Sequence, residues 1–303
     1  MNRFLRKVLV FSIVFFLFDK VFYLFILISP SKEIDKRLQK ILDGEINKDI
    51  IVLGSSRGAR NIIAGQIEDS LGISTYNLSY PAADIEFQEF LLRSLIQFNE
   101  TPKIVLLAID VIDPEEFLPS EKIKFRLDRM YPLAIYQHVN NELIAREEKT
   151  ILSKFLVLAR INKRNFDLQK KQFTALDTIL DCGSMPIYFQ KENRAFIFDS
   201  TEQQYETVNE LENKVNAFLN LQDICIKNEI KLFLIFSPNF SSHNLNFEKR
   251  LRLLTKKEVE YFIYDATNPI YKNKSYFYDE THLQTPGAIV FTNEIINFLK
   301  SKN

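Results

Sequence analysis

Five short apolar runs, separated by stretches of helical periodicity, limit what this chain can fold into. They are residues 49–55 (DIIVLGS), 74–80 (STYNLSY), 103–110 (KIVLLAID), 230–237 (IKLFLIFS) and 259–266 (VEYFIYDA). β-Branched and aromatic side chains fill them and turn-forming residues bound them, as in strands. Their nearly continuous apolarity predicts burial on both faces, and hence a parallel sheet. Helical patterns over 57–71, 85–98, 202–228, 245–257 and 286–300 fill the connections, with Pro286 suited to a first helical turn. Strands alternating with helices in this order predict an α/β fold, a doubly wound parallel sheet of about five strands.

Residues 114–200 break that rhythm and read as a helical insertion in a domain covering 49–303. Within the insertion, 122–133 and 160–166 interleave basic with aromatic and aliphatic residues. Such a face either solvates a helical lid or lies against lipid headgroups or an anionic polymer. With 46 % hydrophobic and 26 % charged residues, the chain as a whole has a globular balance. Lys+Arg and Asp+Glu both number 39, so no electrostatic footprint for nucleic acid exists. Cys182 and Cys225 lack metal-ligand spacing, and no metal or other cofactor is expected.

The N-terminus carries a second constraint. After Arg3, Arg6 and Lys7, residues 8–28 (VLVFSIVFFLFDKVFYLFILI) are interrupted only by Ser12 and the pair Asp19–Lys20. Their length matches the roughly 20 residues that cross a bilayer as a helix. A cleaved signal would show a small-residue cleavage site, which is missing before Ser31; an interfacial or core helix is the other alternative. The expectation is a transmembrane anchor over 1–30, a linker over 31–48, and a single-pass protein of the cytoplasmic membrane. The basic N-terminus favours an inside location, placing the large domain outside the cytoplasm.

Glycine sharpens the search for a site, because the chain has only 7 glycines in 303 residues. Two of them frame Gly54-Ser55-Ser56-Arg57-Gly58, a G-x-S-x-G pattern between a strand and a helix. Small flanking residues there let the backbone turn tightly and expose a serine hydroxyl. Composition predicts only about 0.01 chance occurrences in a chain of this length. Two other readings stand beside it: an anion-binding helix N-terminus served by Arg57 and Arg60, and a plain turn capped by Ser55 or Ser56. A serine nucleophile needs a base, and the histidines are His138, His243 and His282. His282 follows Asp279 by three residues, close enough for the carboxylate to orient the imidazole.

These residues resemble the SGNH (GDSL-like) hydrolase superfamily over roughly residues 49–299. The family's Gly-Asp-Ser block is similar to Gly54-Ser55-Ser56, and its Asp-x-x-His block before the last helix is similar to Asp279 to His282. The resemblance implies a flavodoxin-like sheet, with Ser56 as nucleophile, His282 as base and Asp279 as orienting acid. Residues 76–83 (YNLSYPAA) resemble the second block, whose glycine donates an oxyanion N–H. Ala82 stands at that position, so the implied oxyanion donors are the amides of Ser56 and Ala82. The third block would fall in residues 108–111, where Asp110 replaces the family's asparagine. Arg57, Arg60 and Asp110 are candidate substrate-binding residues. An α/β-hydrolase fits less well, since its elbow follows several strands and its acid lies far before its histidine. An anchor ahead of such a domain is similar to envelope proteins that act with membrane-bound O-acyltransferases in D-alanyl transfer or polysaccharide O-acetylation. The implied function is serine-dependent acyl transfer or ester hydrolysis on an envelope glycan. The alternative is a catalytically weak or inactive module that binds carbohydrate or supports such an acyltransferase.

Overall fold

The computed structural model describes residues 2–28, 35–109, 116–161, 178–188, 197–198, 205–240 and 244–302. The chain divides into two compact units, one of Met1–Leu42 with Leu127–Phe173 and one of Asp43–Arg126 with Thr174–Asn303.

The larger unit is an α/β fold around a five-stranded sheet. The strands β1 (Ile50–Gly54), β2 (Thr75–Asn77), β3 (Ile104–Ile109), β4 (Lys231–Phe236) and β5 (Glu260–Ile263) all run parallel, in the order β2-β1-β3-β4-β5. Each falls inside one of the five apolar runs. Side chains alternate across the sheet, so Ile50, Val52, Leu106, Ala108, Phe233 and Ile235 share one buried face.

The helices in chain order are α1 (Asn2–Ile28), α2 (Arg37–Leu42), α3 (Ser56–Asn61), α4 (Ala64–Leu71), α5 (Ile85–Phe98), α6 (Leu127–Met130), α7 (Gln137–Ala145), α8 (Glu212–Lys227), α9 (Leu245–Leu254) and α10 (Thr285–Ser301). α10 packs against α3 and α4, and α5 packs against α8. The helix expected over 57–71 is two helices, because Ile62 and Ile63 are extended between α3 and α4. The Asn77 amide donates to the carbonyls of Gly58 and Ile62 at 2.8 and 3.0 Å, and Ser184 donates to Ile62 at 3.0 Å. These bonds satisfy the carbonyls that the break exposes. Because the order places β2 on one side of β1 and β3 on the other, the chain reverses direction beside the C-terminal end of β1, where sites in such sheets form.

The smaller unit holds α1, α2, α6, α7 and a 3-10 turn over Ile151–Lys154. Its α2, inside the expected linker 31–48, buries Leu38 and Ile41 and carries Arg37, which pairs with Asp35. Among the described residues no helix is long and apolar enough to cross a membrane. The uncharged run in α1 lasts only from Val8 to Phe18, between Lys7 and Asp19, so the fold does not show the expected spanning helix. Cys182 and Cys225 are both free thiols, the latter buried.

Candidate active site

The sharp turn after β1 depends on its two glycines. Gly54 has φ +152°, and a Cβ there would lie 2.9 Å from both the Cβ and the carbonyl oxygen of Ala108 on β3. A Cβ on Gly58 would lie 2.4 Å from Ser79 Oγ. Only glycine lets β1 run this close to β3 and lets α3 start directly against the segment after β2. Ser55 is the N-cap of α3 in extended conformation and makes no side-chain cap bond. Ser56 is the first helical residue, so its hydroxyl is not consumed by capping.

The Ser56 hydroxyl instead meets His282, with Oγ 2.7 Å from Nε2. On the other side of the ring, Nδ1 lies 2.8 and 2.9 Å from the two carboxylate oxygens of Asp279. An ionised carboxylate only accepts, so Nδ1 carries the proton and Nε2 is left to accept from Ser56. Asp279 also accepts from the backbone amides of Thr281 and His282 at 2.9 and 2.8 Å. Burial alone would raise the Asp279 pKa. The hydrogen bond from His282, the positive charge its ring carries once acid protonates it, and those two amides outweigh burial and hold the carboxyl well below the usual range. Burial is the main influence lowering the His282 pKa; Asp279 opposes it, while the charges of Arg60 and Arg57 add to the lowering. The imidazole is therefore neutral and able to take a proton at neutral pH.

The loop that carries the acid and base is closed on itself. Phe277 and Leu283 form an antiparallel bridge, Tyr278 donates its amide to the His282 carbonyl at 2.8 Å, and Gln284 donates to Tyr276 at 2.9 Å. Phe240, just beyond β4, donates to the Glu280 carbonyl at 2.8 Å. Fully buried Asn61, at the end of the helix that begins with Ser56, accepts from the Leu283 amide at 2.9 Å. One side chain thus ties the serine helix to the histidine loop, and its role was not legible in the sequence. The signal that comes nearest is a polar residue directly ahead of the apolar pair Ile62–Ile63.

Ala82 has φ +61°, in the left-handed region that L-residues rarely occupy. Its carbonyl accepts from Lys124 at 3.1 Å, and its neighbour Ala83 bonds back to Tyr80 at 3.0 Å. The backbone therefore adopts at Ala82 a shape that glycine takes most easily.

Of the remaining candidates, Arg57 is buried and Arg60 half-buried in α3, and both charges act on His282. Asp110 and His243 lie outside the described residues, and His138 is in α7 of the smaller unit. Among the described residues no cluster of His, Cys, Asp or Glu could hold a metal ion. Compared with protein-family models and with curated proteins, the chain gives no match.

Proposed function

We propose that the chain is an SGNH-like serine acyl-transfer protein or esterase, acting on an acyl ester of a cell-envelope glycan. The observation that carries this reading is the Ser56–His282–Asp279 relay. Ser56 Oγ attacks the acyl carbonyl while its proton passes to His282 Nε2, and Asp279 stabilises the imidazolium that forms. Collapse of the tetrahedral intermediate breaks the bond to the leaving alcohol, which takes the proton from Nε2. The acyl-serine then passes its acyl group to a glycan hydroxyl or to water by the same steps in reverse. The amide of Ser56, at the first position of α3 where no intrahelical acceptor exists, and that of Ala82 serve as oxyanion donors.

The location belongs to the same proposal. α1 attaches the protein to the cytoplasmic membrane as a single pass, and the catalytic unit lies on the outer side, where it meets its glycan and a membrane-bound O-acyltransferase. Arg57 and Arg60 beside the base favour a substrate that carries negative charge.

A serine-directed fluorophosphonate tests the chemistry directly. Wild type becomes labelled at Ser56, and Ser56→Ala takes up no label. An unlabelled wild type, or equal labelling of Ser56→Ala, overturns the reading.

A further inference from the structure

Most soluble proteins turn charges outward and apolar side chains inward, yet residues 149–161 of the smaller unit do the reverse. Asp19 of α1 is buried and accepts the backbone amides of Val157 and Leu158, both at 2.8 Å. Lys20 pairs with Asp19 at 3.0 Å and donates to the Phe155 carbonyl at 2.9 Å. Arg160 folds back to the carbonyls of Ser153, Ile135 and Lys154 at 2.6, 3.0 and 3.2 Å. Lys149 donates to those of Ala159 and Ile161 at 3.2 and 3.3 Å. Four charged side chains are spent on the backbone groups of one loop.

The same loop shows Ile151, Leu152, Phe155 and Leu158 to the outside, with exposures of 62, 56, 66 and 43 %. Lys154 is the exposed charge among them, and its long stem lets an ammonium reach a polar boundary. In α1 every residue from 3 to 18 is exposed, with apolar side chains on all sides of the helix between Val8 and Phe18. A helix docking into a protein groove needs one apolar stripe, whereas a helix apolar all round needs an apolar medium. Arg3, Arg6 and Lys7 at its start suit a headgroup layer. Irregular backbone at membrane depth is tolerated only where its polar groups are satisfied internally, and the charged side chains here satisfy the amides of Val157 and Leu158 and the carbonyls of Ser153, Lys154, Phe155, Ala159 and Ile161.

We infer that α1 and residues 149–161 enter the lipid bilayer together as one inserted body, with Asp19 as the internal anchor of the loop. The inference rests on the membrane attachment proposed above. It also accounts for the charged pair that interrupts α1, since Asp19 is withdrawn from the helix surface into the loop.

The test uses the full chain in vesicles of phosphatidylcholine and phosphatidylglycerol. An environment-sensitive fluorophore is attached through Phe11→Cys or Phe155→Cys in a Cys182→Ser background, where Cys225 is buried and unreactive. Both probes are expected to emit at short wavelength, with quenching by nitroxide lipids and little quenching by aqueous iodide. Asp19→Ala is expected to leave the probe at 11 unchanged while lipid quenching at 155 falls severalfold. Asp19→Asn, which keeps an acceptor oxygen, gives an intermediate loss and serves if Asp19→Ala does not fold. Iodide quenching at 155 with lipid quenching at 11 overturns the inserted loop and leaves the anchor standing. Iodide quenching at both positions overturns the anchor itself. A probe at 155 shielded from both quenchers means that protein, not lipid, covers the loop, and also overturns the inference. Unchanged quenching at 155 in both Asp19 variants overturns the anchoring role of Asp19.

Discussion

At the scale of single residues, His282 must be neutral to accept the serine proton, so activity is present above its pKa and lost as pH falls through it. Burial, with Arg60 and Arg57, places that pKa below the ordinary value of about 6.5. Acylation by an activated ester is therefore expected to keep its plateau to a pH below that of free histidine. Arg60→Gln removes a charge that disfavours the imidazolium, so the acid limb should move to higher pH with little change in plateau rate. A limb that stays in place, or moves to lower pH, contradicts this account of the site. Ala82 allows a second test. Holding an L-residue in the left-handed region costs about 1–2 kcal/mol, while glycine's extra unfolded-state freedom costs about 0.4–1 kcal/mol. The first effect is larger, so Ala82→Gly should stabilise the protein by about 0.5 kcal/mol. Denaturant unfolding of the two proteins measures the difference, and a loss of stability would show that Ala82 is not strained.

At the scale of elements, the five strands were legible because their signals are local: an apolar run with a turn residue at its end. α10 was equally clear, starting at Thr285 with Pro286 in its first turn. The break between α3 and α4 was not legible, since the groups that satisfy its carbonyls, Asn77 and Ser184, come from distant parts of the chain. α8 begins at Glu212, later than the helical pattern suggested, with a separate 3-10 turn at Thr207–Asn209 ahead of it. Single residues divide in the same way. Ser56, Asp279 and His282 sit in short motifs, whereas the docking of Asp19 onto residues 157 and 158 uses backbone amides, which carry no residue identity. Asn61 belongs to that second class. Removing its side chain frees the Leu283 amide inside the protein, where an unsatisfied donor costs about 1–3 kcal/mol. Asn61→Ala should therefore lower stability by that amount and slow fluorophosphonate labelling about tenfold, as a base displaced from its nucleophile does. Asn61→Asp, which keeps the acceptor oxygen, should restore much of the labelling rate. Labelling at the wild-type rate in Asn61→Ala would show that the histidine loop holds its position without this tie.

At the scale of the whole molecule, the larger unit is built from pairings that are distant in sequence. Ile104 of β3 pairs with Lys231 of β4, and Ile50 of β1 pairs with Ile104. No strand of the inner sheet can leave without exposing buried side chains of two neighbours. Val105 to Leu107 and Leu234 to Phe236 are almost completely buried. β5 is different: it lies at the sheet edge, with Glu260 and Ile263 exposed. Protection from hydrogen exchange follows the free energy of the smallest opening that frees an amide. The amides of β1, β3 and β4 should exchange only through global unfolding, and those of Glu260–Ile263 about tenfold faster or more. The loop of residues 278–282 should lie between these limits, because the amides of Tyr278, Thr281 and His282 are hydrogen-bonded while its side chains are half-buried or, at Glu280, exposed. Peptide-resolved exchange on the full chain in detergent measures all three classes at once. Equal protection of β4 and β5 would mean that the sheet opens as a single unit to its edge, and the ranking argued from burial would fail.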